Sequence, residues 1–211
     1  MVRDFLIFVL ALLLVPCAWA VENTAALKAA QAYLDGLTTF QAKFTETQQP
    51  SGLVQAGTFS LQRPNKFLWQ YSQPTNQKVV ATGSRLFFVE GGNEGQVTQL
   101  PMGYGLAGVL TQPSLKLTNK KLGLKGVKET KTAYILTFMP NEQSADSPNL
   151  NLPSATVTME IAKKPRQLVR ITTTTPLGES TEVRFSQITQ GQKLAAKLFN
   201  YIPPQEEDFL K

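Results

Sequence analysis

What most constrains this chain is a two-residue rhythm. Apolar side chains recur at alternate positions through Phe40, Ala42 and Phe44; Phe59 and Leu61; Phe67, Trp69 and Tyr71; Val79 and Ala81; and Leu86 and Phe88. After a break the rhythm resumes through Tyr134, Leu136 and Phe138; Val157, Met159 and Ile161; Leu168, with the charged Arg170 in phase; and Val183 and Phe185. A strand shows successive side chains to opposite faces, so each run is predicted to bury one face of a sheet and wet the other. The connecting segments are turn-rich: Gly91-Gly92-Asn93, Pro140-Asn141, Pro148, Lys163-Lys164-Pro165, Pro176-Leu177-Gly178 and Gln190-Gly191. Strand following strand, with no helix of crossover length between, makes an antiparallel meander. A meander this long must curl to hide its edges.

Two segments break the rhythm. Asn23 and Thr24 are N-cap residue types, and Leu27, Ala30, Leu34 and Leu37 recur at helical spacing. They predict an amphipathic helix over residues 24–37 whose apolar stripe covers the sheet. The second is PMGYGLAGVLTQPSLKL, residues 101–117, where Met102, Leu106, Val109, Leu110, Leu115 and Leu117 make the segment apolar while prolines and glycines spoil it as a strand. A short helix or two lying over an open side of the sheet is predicted, as a lid or as a core plug; periodicity does not choose between them. Within it GYGLAG, residues 103–108, matches the dinucleotide fingerprint G-x-G-x-x-G. That fingerprint works only between a buried parallel strand and a helix N-terminus, and antiparallel strands surround this one, so nucleotide binding is discounted.

The N-terminus narrows the setting. Arg3, the apolar run Phe5 to Val15 and Ala18-Trp19-Ala20 read as a secretory signal peptide, residues 1–20, cleaved after Ala20. The run is shorter than the roughly 20 residues of a membrane span. A lipoprotein signal cut before Cys17 would need a small residue where Pro16 stands, which favours export without lipidation. The expected mature chain, residues 21–211, is long enough for one domain with its own core. It contains neither cysteine nor histidine, so it holds no disulfide and lacks the commonest metal ligands and general base.

Charge and motifs exclude more than they assign. The chain carries 21 Lys+Arg against 15 Asp+Glu, a basic balance that suits a membrane surface, an acidic protein or nucleic acid. Lys116, Lys120, Lys121, Lys125, Lys128 and Lys131 form a basic stretch without interleaved aromatics to stack bases, which argues against nucleic acid and for a solvated strand or a docking edge. There is no G-x-S-x-G, no Walker A sequence and no metal-ligand cluster, and acidic residues such as Glu129, Glu142, Glu179 and Glu206-Glu207-Asp208 sit in polar surroundings. No enzyme, no cofactor and no metal are expected.

LQRPNKFLWQY, residues 61–71, places Arg63 in phase with Leu61, Phe67, Trp69 and Tyr71. Arg63-Pro64-Asn65-Lys66 is predicted to be a type I turn, with Pro second and Asn third, so that Arg63 ends one strand and Phe67 opens the next. The aromatic rows are either ordinary core or the lining of a cavity for an apolar ligand.

RPNKFLWQY followed by Pro74 and QKVVATG, the helix leading into FQAKF, the Pro-containing apolar insertion after the fourth or fifth strand, and FNYIPP near the end together resemble the LolA family of periplasmic lipoprotein carriers. The likeness runs in order through nearly all of the expected mature chain, and R-P-x-x-F-x-W is its most specific part. Glu46 stands near a position where the family often has Gln, Phe87 replaces a frequent Trp, and the chain stops soon after Pro203-Pro204. The resemblance implies a mainly β fold with helices: an incomplete antiparallel barrel of about 10–11 strands, closed by the N-terminal helix and short lid helices over a hydrophobic cavity. It implies that Arg63 is a lid latch and that Phe67 belongs to the cavity. With Phe67 go Phe40, Phe44, Phe59, Leu61, Trp69, Tyr71, Phe88 and Phe138; Met102, Leu106, Val109, Leu110 and Leu115 belong to the lid. The implied partners are outer-membrane lipoproteins, an inner-membrane ABC transporter of the LolCDE type, and an outer-membrane acceptor of the LolB type or the outer membrane itself, served by a monomer. Two other readings stay open: a carrier of another exported lipid or glycolipid, and a docking module that keeps its core solid and uses its lysine-rich edge.

Overall fold

The structure is a computed structural model that describes residues 25–91, 96–102, 105–139 and 155–203. The expected signal peptide, the capping residues Asn23 and Thr24, and Pro204 lie outside the described residues. The chain runs α1 (Ala25–Gly36), β1 (Thr39–Gln49), β2 (Val54–Gln62), β3 (Lys66–Tyr71), β4 (Lys78–Thr82), β5 (Leu86–Val89), β6 (Val97–Leu100) and α2 (Gly105–Leu110), then β7 (Leu124–Glu129), β8 (Ala133–Phe138), β9 (Thr156–Lys163), β10 (Arg166–Thr174) and β11 (Ser180–Gln190). Two 3-10 turns, Lys120–Leu122 and Ala196–Phe199, complete it.

All described strands join one 11-stranded sheet in the order β6-β5-β4-β3-β2-β1-β11-β10-β9-β8-β7. It consists of two antiparallel meanders joined where β1 pairs β11, the two longest strands at 11 residues each. Register shifts in β11 opposite Gln41/Lys43, at Leu168/Arg170 in β10 and at Leu124/Gly126 in β7 mark bulges that bend and twist their strands, which is how a wide sheet curls. β6 and β7 are its free edges, so the barrel is incomplete, and the segment between them carries α2, whose Val109 and Leu110 join the main buried cluster. That segment follows the sixth strand rather than the fourth or fifth.

The ladder registers bring the alternating residues onto one concave face. Phe40 lies opposite Leu61, Leu61 opposite Phe67, Phe67 opposite Ala81 and Ala81 opposite Leu86. In the other meander Val183 faces Ile171, Ile171 faces Met159 and Met159 faces Leu136. These residues form a single buried cluster with Leu27, Ala30, Tyr33 and Leu34 of α1 and with Val109, Leu110, Leu115 and Leu117. Gly57 serves this packing. A Cβ there would lie 2.0 Å from the Gln70 carbonyl oxygen and 2.7 Å from the Phe44 ring, so only glycine lets the ring lie over β2.

A smaller cluster forms on the outer face, from Val80, Phe87 and Val89 with Leu68, Val97 and Tyr201. After β11 the Gly191 N–H donates to the Thr39 carbonyl, the Ala196–Phe199 turn packs on β3 and β4, and the Tyr201 ring meets Phe87 edge-on at 5.4 Å. β5 is thereby covered on both faces. That explains the unbroken apolar run Leu86-Phe87-Phe88-Val89, in which the fully buried ring is Phe87, facing outward, while Phe88 on the concave register is half-buried.

Candidate functional site: Arg63, two helix ends and an apolar inner face

Arg63 leaves the sheet one residue after β2 and reaches two helices at once. Its Nε donates to the Leu110 carbonyl at 2.8 Å and its Nη1 to the Leu34 carbonyl at 2.5 Å. Leu110 is the last residue of α2, and Leu34 lies in the last turn of α1, so one cation satisfies carbonyls that a helix C-terminus leaves open. Next to it the Asn65 N–H donates to the Thr111 carbonyl at 2.8 Å. The turn is not type I: Asn65 has φ 58, in the left-handed region that a type I turn does not use and that Asn tolerates. This conformation accompanies the Asn65 N–H contact with the lid.

Burial pulls the Arg63 guanidinium below its ordinary value, and the charge of Asp35, then Tyr33, opposes that pull. Among the described residues Nη2 of Arg63 is buried and has no hydrogen-bond partner. Tyr33 lies nearby; burial pushes its phenol up to about 12, so it stays a neutral group, accepting from the Leu168 N–H at 2.8 Å and donating to Gln190. The remainder of the lid segment is tied to α1 by Gln31, whose Nε2 donates to the Leu115 carbonyl at 2.9 Å and whose Oε1 accepts from the Leu117 N–H at 2.8 Å. Lys116 adds an exposed ion pair with Asp35 at 3.2 Å.

Beneath this polar fastening the surface is apolar. Phe44, Trp69, Phe59 and Phe67 form a file of rings, with centroid separations of 4.6, 4.9 and 6.4 Å between successive members. Phe40 and Phe185 pack beside it. Of the expected cavity residues, Phe40, Phe44, Phe59, Leu61, Phe67 and Phe138 are buried in the central cluster and Trp69 and Tyr71 are packed against it; Phe88 is not among them. Of the expected lid residues, Val109, Leu110 and Leu115 are buried in the same cluster and Met102 is exposed; the Leu106 side chain lies outside the described residues. Among the described residues these side chains pack on one another. A void of about 20 Å³ lies among Val109, Leu115, Leu117, Leu122, Phe138, Val157 and Met159, which is room for about one water.

Glu46 entered the sequence reading only as a departure from a frequent Gln, with no role. It is 7% exposed, accepts from the Tyr71 hydroxyl at 2.8 Å and from Gln48 Nε2 at 3.0 Å, and stands on the concave face between Gln55 and Val183. Among the described residues no cluster of His, Cys, Asp or Glu could hold a metal ion, and no helix is long and apolar enough to cross a membrane.

Fold and site define a class: an open antiparallel half-barrel whose apolar inner face is covered by helices fastened through backbone carbonyls. The chain belongs to the LolA family, whose model, described as outer membrane lipoprotein carrier protein LolA, matches residues 35–202. It is 27% identical over 193 residues to the outer-membrane lipoprotein carrier protein of Methylococcus capsulatus, covering 84% of each chain. With the protein of the same description from Legionella pneumophila strain Corby it is 28% identical over 187 residues, covering 86% of this chain and 87% of that one. Among solved structures it is similar to a LolA superfamily protein from Nitrosomonas europaea, with a TM-score of 0.45 and 10% identity over 84% of this chain and 99% of that one. It is similar also to MucB, with a TM-score of 0.48 and 16% identity over 85% of this chain and 64% of that one.

Proposed function

We propose that residues 21–211, released by cleavage after Ala20, form a single-domain periplasmic carrier. It shields the acyl chains of outer-membrane lipoproteins in its hollow and takes them from the inner to the outer membrane, without catalysis. The observation that carries this reading is the contrast at the site: the segment over the sheet is held by hydrogen bonds from Arg63, Asn65 and Gln31, while the cluster it packs into is built of apolar side chains. Water can replace the hydrogen bonds when the lid lifts, and an acyl chain can replace the apolar contacts. Family membership supports the same reading.

The energetics assign work to partners. At about 0.8 kcal/mol per buried methylene, three long acyl chains gain well over 30 kcal/mol in a membrane. Non-covalent binding by a soluble protein saturates near 20 kcal/mol. Loading is therefore driven from outside, by an inner-membrane ABC transporter, and release is helped by a hollow that refills itself when empty. The acceptor is an outer-membrane protein of the LolB type or the outer membrane itself.

The filled core is also what the alternative, a docking module on this fold, would have. The two separate when a triacyl lipopeptide in detergent is mixed with the protein and the detergent removed. A soluble complex of protein and lipopeptide is expected, together with its loss in Phe67→Glu, which sets a charge among the rings. Lipopeptide that sediments as it does without protein would reject the carrier.

A further inference from the structure

Glu46 is a buried carboxylate without a cation. Among the described residues no lysine or arginine pairs with it, and its two hydrogen bonds come from neutral donors, Tyr71 and Gln48. Its neighbours' cations lie on the other face of the sheet. Lys43, the residue after the inward-facing Ala42, Lys78, paired with Val89, and Arg184, paired with Thr45, all alternate outward. Burying a charge is costly unless it is paired, so this position asks for a partner that the fold does not supply. Holding Tyr71 in place does not account for the charge, because a glutamine carbonyl would accept the same hydroxyl. Burial and the Glu46 charge both push the Tyr71 phenol up, which keeps it a donor to the carboxylate.

Position says what the partner is attached to. Glu46 is the last buried residue of β1 on the concave face; Phe44 precedes it on that face and the half-buried Gln48 follows. Phe44 stacks on Trp69 at 4.6 Å and meets Tyr71 edge-on at 5.3 Å. The carboxylate thus stands where the aromatic file ends and the polar rim begins. An acyl chain lying along Phe67, Phe59, Trp69 and Phe44 has its polar head there.

We propose that Glu46, steadied by Tyr71, is a head-group subsite for a cation at the root of the acyl chains, namely the free α-ammonium of a diacylated N-terminal cysteine. This rests on the carrier reading and adds a cargo class to it. An α-amino group has an ordinary pKa of about 7.7–8.0 and is largely charged at pH 7, whereas acylation of the amine in a triacylated cysteine leaves a neutral amide. Between cargoes with the same acyl chains, the subsite therefore prefers the one whose amine is free.

The test uses two synthetic lipopeptides with the same two acyl chains, one with a free α-amine and one N-acetylated, titrated into the expected mature protein at pH 7. Wild type is expected to bind the free amine about tenfold or more tighter, as a charge-assisted contact requires. Glu46→Gln is expected to bring the two affinities within about twofold of each other. Equal affinities in wild type, or a preference that survives Glu46→Gln, would overturn the subsite while leaving the carrier standing. Binding of neither lipopeptide would overturn both. The wild-type comparison stands by itself if the variant folds poorly.

Discussion

At the residue scale the account turns on Arg63, which joins the sheet to the ends of both helices. Arg63→Leu removes hydrogen bonds to Leu110 and Leu34 but retains an apolar stem, so the sheet should persist while the lid loosens. Charge-assisted hydrogen bonds contribute about 1.5–3 kcal/mol, which corresponds to at least about tenfold faster amide exchange in α2, with the β1 and β11 amides unchanged. Exchange rates in α2 equal to wild type would mean that apolar contacts alone hold the lid. Arg63 was visible in the sequence as a charge in phase with aromatics, and the resemblance gave it a lid; the carbonyls that it meets come from helix ends and carry no sequence mark. Glu46 was harder to see. Thr45, Thr47 and Gln48 around it read as solvated strand, and only the fold shows that its carboxylate faces inward.

At the scale of elements, legibility follows burial. Strands with one face on the core, from β1 to β5 and from β8 to β11, declared themselves by alternation. The edges β6 and β7 did not, because an edge strand has fewer neighbours to pack against and its side chains are mostly half-buried or exposed. The turn after β2 was misread for a related reason: Pro then Asn suits a type I turn locally, but the contact of the Asn65 N–H with Thr111 belongs to tertiary structure. Within β2 the tightest constraint is Gly57. Gly57→Ala would drive a methyl into the Gln70 carbonyl and the Phe44 ring, and overpacking of this kind costs about 1–3 kcal/mol or more. For a domain of this size that is a fall in Tm of roughly 2–12 °C, measurable by thermal denaturation. An unchanged Tm would mean that the β2–β3 ladder yields more readily than this packing allows.

At the scale of the whole molecule, the curled meander was legible and the state of its hollow was not. A row of Phe, Leu and Trp reads the same whether it packs on itself or on a ligand. Among the described residues that row packs on itself and on the helices above it, so the proposed carrier is expected to open before it loads. The central claim is that acyl chains then lie along the concave aromatic file. Trp69 is the only tryptophan of residues 21–211 and sits within that file, so it reports on the claim directly. The measurement is quenching of its fluorescence by a lipopeptide whose acyl chains carry bromine, against an unbrominated control. Saturable quenching, lost in Phe67→Glu, is the expected result. A lipopeptide that forms a soluble complex yet leaves Trp69 unquenched would contradict the account.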